Sequence, residues 1–128
     1  ADSSYDKKAL APLTELFRKD KPDVVHTHAS LTARMAAKKA GVPRIFHTKH
    51  CMENVSGNTL KRLAKRMVNH RYSDRVIAVS KAVRKSMIVG GTDPKQIVTI
   101  YNGIEMLSPL TPEEKRAVLA EYGVPEGQ

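Results

Sequence analysis

Two hydrophobic patterns alternate along this 128-residue chain, and that alternation limits its fold more than any other feature. Ala9, Leu10, Leu13, Leu16 and Phe17 recur at helical spacing within Asp6 to Lys19, where Pro12 is expected to kink the helix or mark its regular start. Val24 to His28 then reads as a short strand, and Leu31 to Ala40 as a helix with Ser30 as N-cap and Gly41 as its stop. The unit repeats: strand Arg44 to Thr48, a polar loop from Lys49 to Asn58, helix Thr59 to Tyr72, strand Arg75 to Val79, and helix Lys81 to Val89 capped by Ser80. Ile97 to Tyr101 is a fourth strand. Thr111-Pro112-Glu113-Glu114 opens a last helix with a capping box and proline at its first position.

Strands alternating with helices imply right-handed βαβ units, hence an α/β fold: a Rossmann-like parallel sheet of about four strands with flanking helices. The mostly apolar strands predict cover on both sheet faces, and the first strand is expected to leave an edge exposed. In open parallel sheets ligands bind beyond the carboxyl ends of the strands. That rule selects His28, then His47, Thr48, Lys49 and His50, then Ser80, then Asn102-Gly103. His26 and His28 share one side of a strand. His26, His28, His47, His50 and Cys51 are conceivable metal ligands, but no carboxylate accompanies them at useful spacing and no usual zinc pattern is present, so no metal is assigned. His26 is expected to bond a neighbouring loop.

The charge is uneven. Lys61 to Lys85 holds nine basic residues against one acid, Asp74, a net +8 within a chain of +9. Such a concentration suits an anionic partner. Lys61, Arg62, Lys65 and Arg66 on the third helix are candidates for contact with anionic lipid or phosphate, opposite an apolar face of Leu60, Leu63, Ala64, Met67 and Val68. One function class is a basic α/β module binding nucleic acid or phosphorylated ligands. Base stacking is poorly served, however, with Tyr72 the one aromatic within the basic run, so no nucleic acid is expected. The lone Cys51 makes a reducing, cytoplasmic setting the default. The start at Ala1 shows neither a signal-peptide pattern nor an initiator Met, as in a chain that begins mid-protein.

The order of motifs resembles one family. Lys21-Pro22-Asp23-Val24-Val25-His26-Thr27-His28, Ala40-Gly41-Val42-Pro43, His47-Thr48-Lys49-His50, the segment Asp74 to Ala82, and Gly91-Thr92-Asp93-Pro94 through Asn102-Gly103-Ile104 are similar to the N-terminal, acceptor-side domain of GT-B glycosyltransferases of family 4. The resemblance implies a metal-independent, retaining hexosyl transfer from a UDP- or GDP-linked nucleotide sugar to a lipid-linked or cell-envelope glycan acceptor. No cofactor is implied beyond the nucleotide-sugar co-substrate, which a second domain would bind. It places His28 in the catalytic cleft, Thr48 and Ser80 at cleft-facing strand tips, and Asn102 and Gly103 at the start of the interdomain connection; together with His47 and Lys49, which the strand-end rule selects, these are the candidate residues of the acceptor and sugar cleft. It makes residues 1–108 part of the acceptor domain and 109–128 a linker helix toward an absent donor domain, so the chain alone is expected to be inactive. The setting implied is cytoplasmic, with peripheral contact at the inner face of a membrane.

Overall fold

The computed structural model describes residues 5–53, 58–104 and 108–124. Their order is α1 (Lys7–Asp20), β1 (Val24–Thr27), α2 (Leu31–Ala40), β2 (Arg44–Lys49), α3 (Thr59–Tyr72), β3 (Arg75–Ala78), α4 (Lys81–Val89), β4 (Ile97–Thr99) and α5 (Pro112–Glu121). The four strands form one parallel sheet in the order β1-β2-β3-β4. β1 therefore stands at an edge, as expected.

Local chemistry explains the helix ends. Asp6 caps α1 by accepting from the Lys8 N–H, Ser30 caps α2 by accepting from Ala33, and Gly41 ends α2 in the left-handed region at φ 85°. Pro12 lies inside α1 without breaking it: the donor it lacks would have served the carbonyl of Lys8, which is exposed. The expected capping box of α5 is present, with Thr111 Oγ1 accepting from Glu114 N at 3.2 Å and Glu114 Oε2 accepting from Thr111 N at 2.8 Å. No residue of α5 is buried, so the cap is a large part of what holds it. Thr111→Ala is expected to cost α5 about 1 kcal/mol, read as faster amide hydrogen exchange confined to that helix.

Strand ends differ from the expected ones by one or two residues. Pairing stops at Thr27 opposite His47, and at Ala78 opposite Thr99, so His28, Val79 and Tyr101 fall outside the ladder. The expectation of two covered faces also changes. Each strand steps to the next in one direction, and right-handed connections then place α2, α3 and α4 on the same face. Val25, Ile45, Val42 and Ala37 form one core cluster there. Val76, Ala78, Ile97, Val83 and Met87 form the other. The opposite face carries Val24, His26, Phe46, Thr48, Ile77 and Val98, and Val24 and Val98 are exposed.

A buried polar network does the work that apolar packing does elsewhere. Arg34 of α2 donates to Asn69 Oδ1 at 3.2 Å and to Ser73 Oγ at 3.0 Å. Asn69 Nδ2 donates to Thr92 Oγ1 at 3.1 Å, and Gln96 Nε2 donates to the carbonyls of Asn69 and Ser73 at 2.9 and 2.6 Å. Asn69 is the one buried residue of α3, so this network fastens that helix to α2 and to the turn before β4. Burial lowers the Arg34 pKa from its ordinary value.

Candidate functional site: a histidine cluster at the carboxyl edge of the sheet

Because all four strands are parallel, their carboxyl ends share one edge. At the β1 end stands His28, one residue past the ladder and exposed. Its Nδ1 lies 2.7 Å from Nε2 of His50, which follows the β2 end. The two rings stack at a centroid separation of 5.0 Å and an interplanar angle of 18°. His26, on the same side of β1, tilts against His28 at 4.6 Å. Its Nε2 lies 2.6 Å from Thr48 Oγ1, so its partner is a strand residue and not a loop. Desolvation, then the adjacent His28 and His50, lower the His26 pKa.

One ring nitrogen of the His28–His50 contact must donate and the other accept. If His50 donates, His28 carries its proton on Nε2 and offers a donor. If His28 donates from Nδ1, its Nε2 offers an acceptor. Either tautomer leaves an oriented nitrogen at the edge, suited to a hydroxyl group. Orientation is reinforced by the backbone, since Ala29 sits at φ 127°, where side-chain-bearing residues are strained. Ala29→Gly is expected to raise stability by about 1 kcal/mol in denaturant titration while loosening the His28 ring.

The edge does not gather every residue selected from the sequence. Thr48 is buried on the open face beneath His26. Ser80 follows β3 and caps α4, accepting from Val83 N at 3.1 Å. Asn102 and Gly103 are exposed beyond β4. His47 and Lys49 have the opposite parity and face the helices. His47 is 8% exposed, on the sheet face opposite His26. It is thus walled off from the histidine cluster. The four cations of α3 selected from the sequence also divide. Lys65 pairs with Glu53, and Arg66 with Asp93 at 2.6 Å, whereas no ion pair engages Lys61 or Arg62 among the described residues. His50 enters the site through its contact with His28, a cross-strand register that no local sequence pattern encodes. Among the described residues, no group of three or more His, Cys, Asp or Glu side chains is arranged to hold a metal ion.

Burial, then the charges of Arg34 and Lys49, pushes the His47 pKa from 6.5 down to about 4. The fold therefore holds this ring neutral, while the unfolded chain protonates it near pH 6.5. The resulting stability is complete above pH 6.5 and is lost as pH falls toward 4, by roughly 3 kcal/mol in all. Urea unfolding at pH 7 and pH 4.5 checks this, and His47→Asn should flatten that part of the pH profile.

Comparison with known proteins agrees with this architecture. Residues 2–106 match Glycosyltransferase Family 4. The chain is 33% identical over 109 residues to the UDP-Gal:alpha-D-GlcNAc-diphosphoundecaprenol alpha-1,3-galactosyltransferase of Escherichia coli, an alignment that takes in 79% of this chain and 28% of that protein. Anabaena Alr3699/HepE in complex with UDP and glucose superposes with a TM-score of 0.72 at 18% identity, over 91% of this chain and 32% of that one. A UDP-N-acetylglucosamine 2-epimerase from Rickettsia bellii shares the fold more distantly, at a TM-score of 0.52 and 19% identity over 96% of this chain and 31% of that one. The family match spans most of the sequence and includes all four strands of the sheet: the chain belongs to glycosyltransferase family 4.

Proposed function

We propose that this chain forms part of the acceptor-side domain of a retaining, metal-independent glycosyltransferase that uses a UDP-sugar and acts on a lipid-linked or cell-envelope glycan. The observation carrying this reading is the oriented His28–His50 pair at the carboxyl edge of a family 4 sheet. On this reading the acceptor hydroxyl attacks the anomeric carbon from the face that UDP leaves, the bond to the UDP oxygen breaks, the hydroxyl proton passes to that departing diphosphate oxygen, and His28 hydrogen-bonds the sugar as it transfers. Thr48 supports the cluster through His26. Ser80, Asn102 and Gly103 border the same edge, residues 1–108 belong to the acceptor domain, and 109–128 lead toward the domain that binds most of the UDP-sugar. The E. coli relative's name supplies the substrate class, a sugar diphosphate on undecaprenol accepting galactose from UDP-Gal. Its acceptor is a membrane lipid, which suits an enzyme working peripherally at the cytoplasmic face. No helix among the described residues is long and apolar enough to cross a bilayer.

The test is transfer of radiolabelled sugar by the full-length protein from UDP-galactose and UDP-glucose to a GlcNAc-diphosphate lipid, with and without EDTA. Transfer that persists in EDTA is expected from the full-length protein, and none from the 128-residue chain by itself. Failure with both donors would withdraw the substrate class. Loss in EDTA would withdraw metal independence.

A further inference from the structure

The chain holds four asparagines, Asn54, Asn58, Asn69 and Asn102, and Asn102 alone is followed by glycine. That dipeptide matters chemically. A backbone nitrogen can attack the side-chain carbonyl of the asparagine before it and close a five-membered ring. A side chain on the following residue obstructs the approach, and a hydrogen-bonded, regular backbone forbids it. Glycine removes the first obstacle and widens the range of φ and ψ through which the ring can close. The fold removes the second. β4 ends at Thr99, and the Ile100 N–H still donates to the Ala78 carbonyl at 3.0 Å. Beyond it, Asn102 and Gly103 are exposed and belong to no helix or strand, and among the described residues no backbone hydrogen bond engages either. An added Cβ at Gly103 would meet nothing within 4 Å, so no neighbouring group confines this peptide. The other described asparagines are held. Asn58 caps α3, its Oδ1 accepting from Leu60 N, and it precedes the β-branched Thr59. Asn69 is buried within α3, with Oδ1 accepting from Arg34 and Nδ2 donating to Thr92 Oγ1.

We propose that Asn102–Gly103 is a self-modification site beyond the β4 end of the sheet, where deamidation replaces a neutral amide by a carboxylate and so weakens nucleotide-sugar binding. The Gly103 backbone nitrogen, having lost its proton, attacks Cγ of Asn102. An N–Cγ bond forms, the Cγ–Nδ2 bond breaks, and the amide nitrogen takes up a proton and leaves as ammonia. Water then opens the resulting succinimide at either carbonyl. Attack at Cγ gives aspartate. Attack at the main-chain carbonyl gives isoaspartate, whose backbone runs through Cβ and Cγ and is one carbon longer. Both products carry a new carboxylate, and no reagent besides water is consumed. The effect on binding rests on the glycosyltransferase reading, in which Asn102 borders the edge where the UDP-sugar reacts: a carboxylate there repels the donor's diphosphate. Isoaspartate also lengthens the connection from β4 to α5. The chemistry of the site is independent of that reading.

The experiment incubates the full-length protein at mildly alkaline pH and body temperature, maps its peptides by mass spectrometry, and labels isoaspartate with an isoaspartyl methyltransferase. The Asn102 peptide should gain the mass of an amide turned into a carboxyl and take up label, faster as pH rises because the deprotonated nitrogen is the attacking group. The Asn58 and Asn69 peptides should stay unchanged. Gly103→Ala, for which there is room, should slow the reaction severalfold. Asn102→Gln, whose ring would have six members, should abolish it. Sugar transfer is followed on the same samples, each protein relative to its own fresh activity. Wild type should lose transfer in step with its modified fraction, with KM for the UDP-sugar rising more than kcat falls, and Gly103→Ala should lose it more slowly. An Asn102 peptide that stays intact, or that changes no faster than the Asn58 peptide, overturns the site. Modification with transfer undiminished overturns its effect on sugar binding. Fresh protein that transfers no sugar yet deamidates at Asn102 establishes the site while withdrawing the transferase reading and, with it, that effect.

Discussion

If His28 acts as proposed, replacing it by Ala is expected to lower turnover of the full-length protein by roughly 10² to 10³, the usual cost of removing one oriented hydrogen-bonding group from a transition state. The melting temperature should hardly move, because His28 lies outside the strand ladder and is exposed. His50→Ala should act through His28, freeing its ring without deleting it, with a smaller loss of about tenfold that falls on kcat more than on KM. The two changes together should cost little more than His28→Ala alone, because His50 has nothing left to orient. Steady-state kinetics of the three variants decides the matter. Unchanged turnover in His28→Ala would remove that residue from the reaction.

The second large effect falls on stability. Gly91→Ala is expected to destabilise the protein by about 4 kcal/mol, measured by urea unfolding, through two additive causes. Gly91 adopts φ 104°, and an added Cβ there would lie 2.6 Å from the Arg62 carbonyl oxygen and 2.9 Å from its Cα. Those are backbone atoms of α3, so the contact can be relieved only by moving the helix. Displacing α3 would strain the Asn69–Thr92 hydrogen bond and the Arg66–Asp93 pair, both of which join that helix to the same turn. Gly90→Ala is the control. Its φ is −70°, and two of the three atoms a Cβ would meet are the ends of the Glu53 and Lys65 side chains, so a smaller loss is expected.

Much of this protein was written in its local sequence. Helix and strand periodicity, the caps at Ser30, Ser80 and Thr111, and the stops at Gly41 and Gly90-Gly91 depend on neighbours a few residues apart, and those elements formed where the pattern placed them. The alternation of strand and helix led to the parallel sheet, and the parallel sheet to a single edge holding the strand tips. Motif order along the chain led to the family.

What tertiary structure alone decided is which way each side chain faces and whom it meets. His47 and Thr48 are adjacent in sequence, yet one turns toward the helices and the other toward His26, because strand parity is fixed by pairing with β1 and β3. His28 meets His50 through the register of β1 on β2, 22 residues apart. Helix α3 shows the same: Leu60, Leu63 and Met67 are exposed, and Asn69 is its one buried residue. Its periodicity marked an apolar face, but periodicity does not say which face a neighbouring element will take. The buried Arg34 and the carboxylates of Glu53 and Asp93 drew the polar side inward, because a desolvated charge must be bonded whereas an apolar side chain can remain exposed at modest cost.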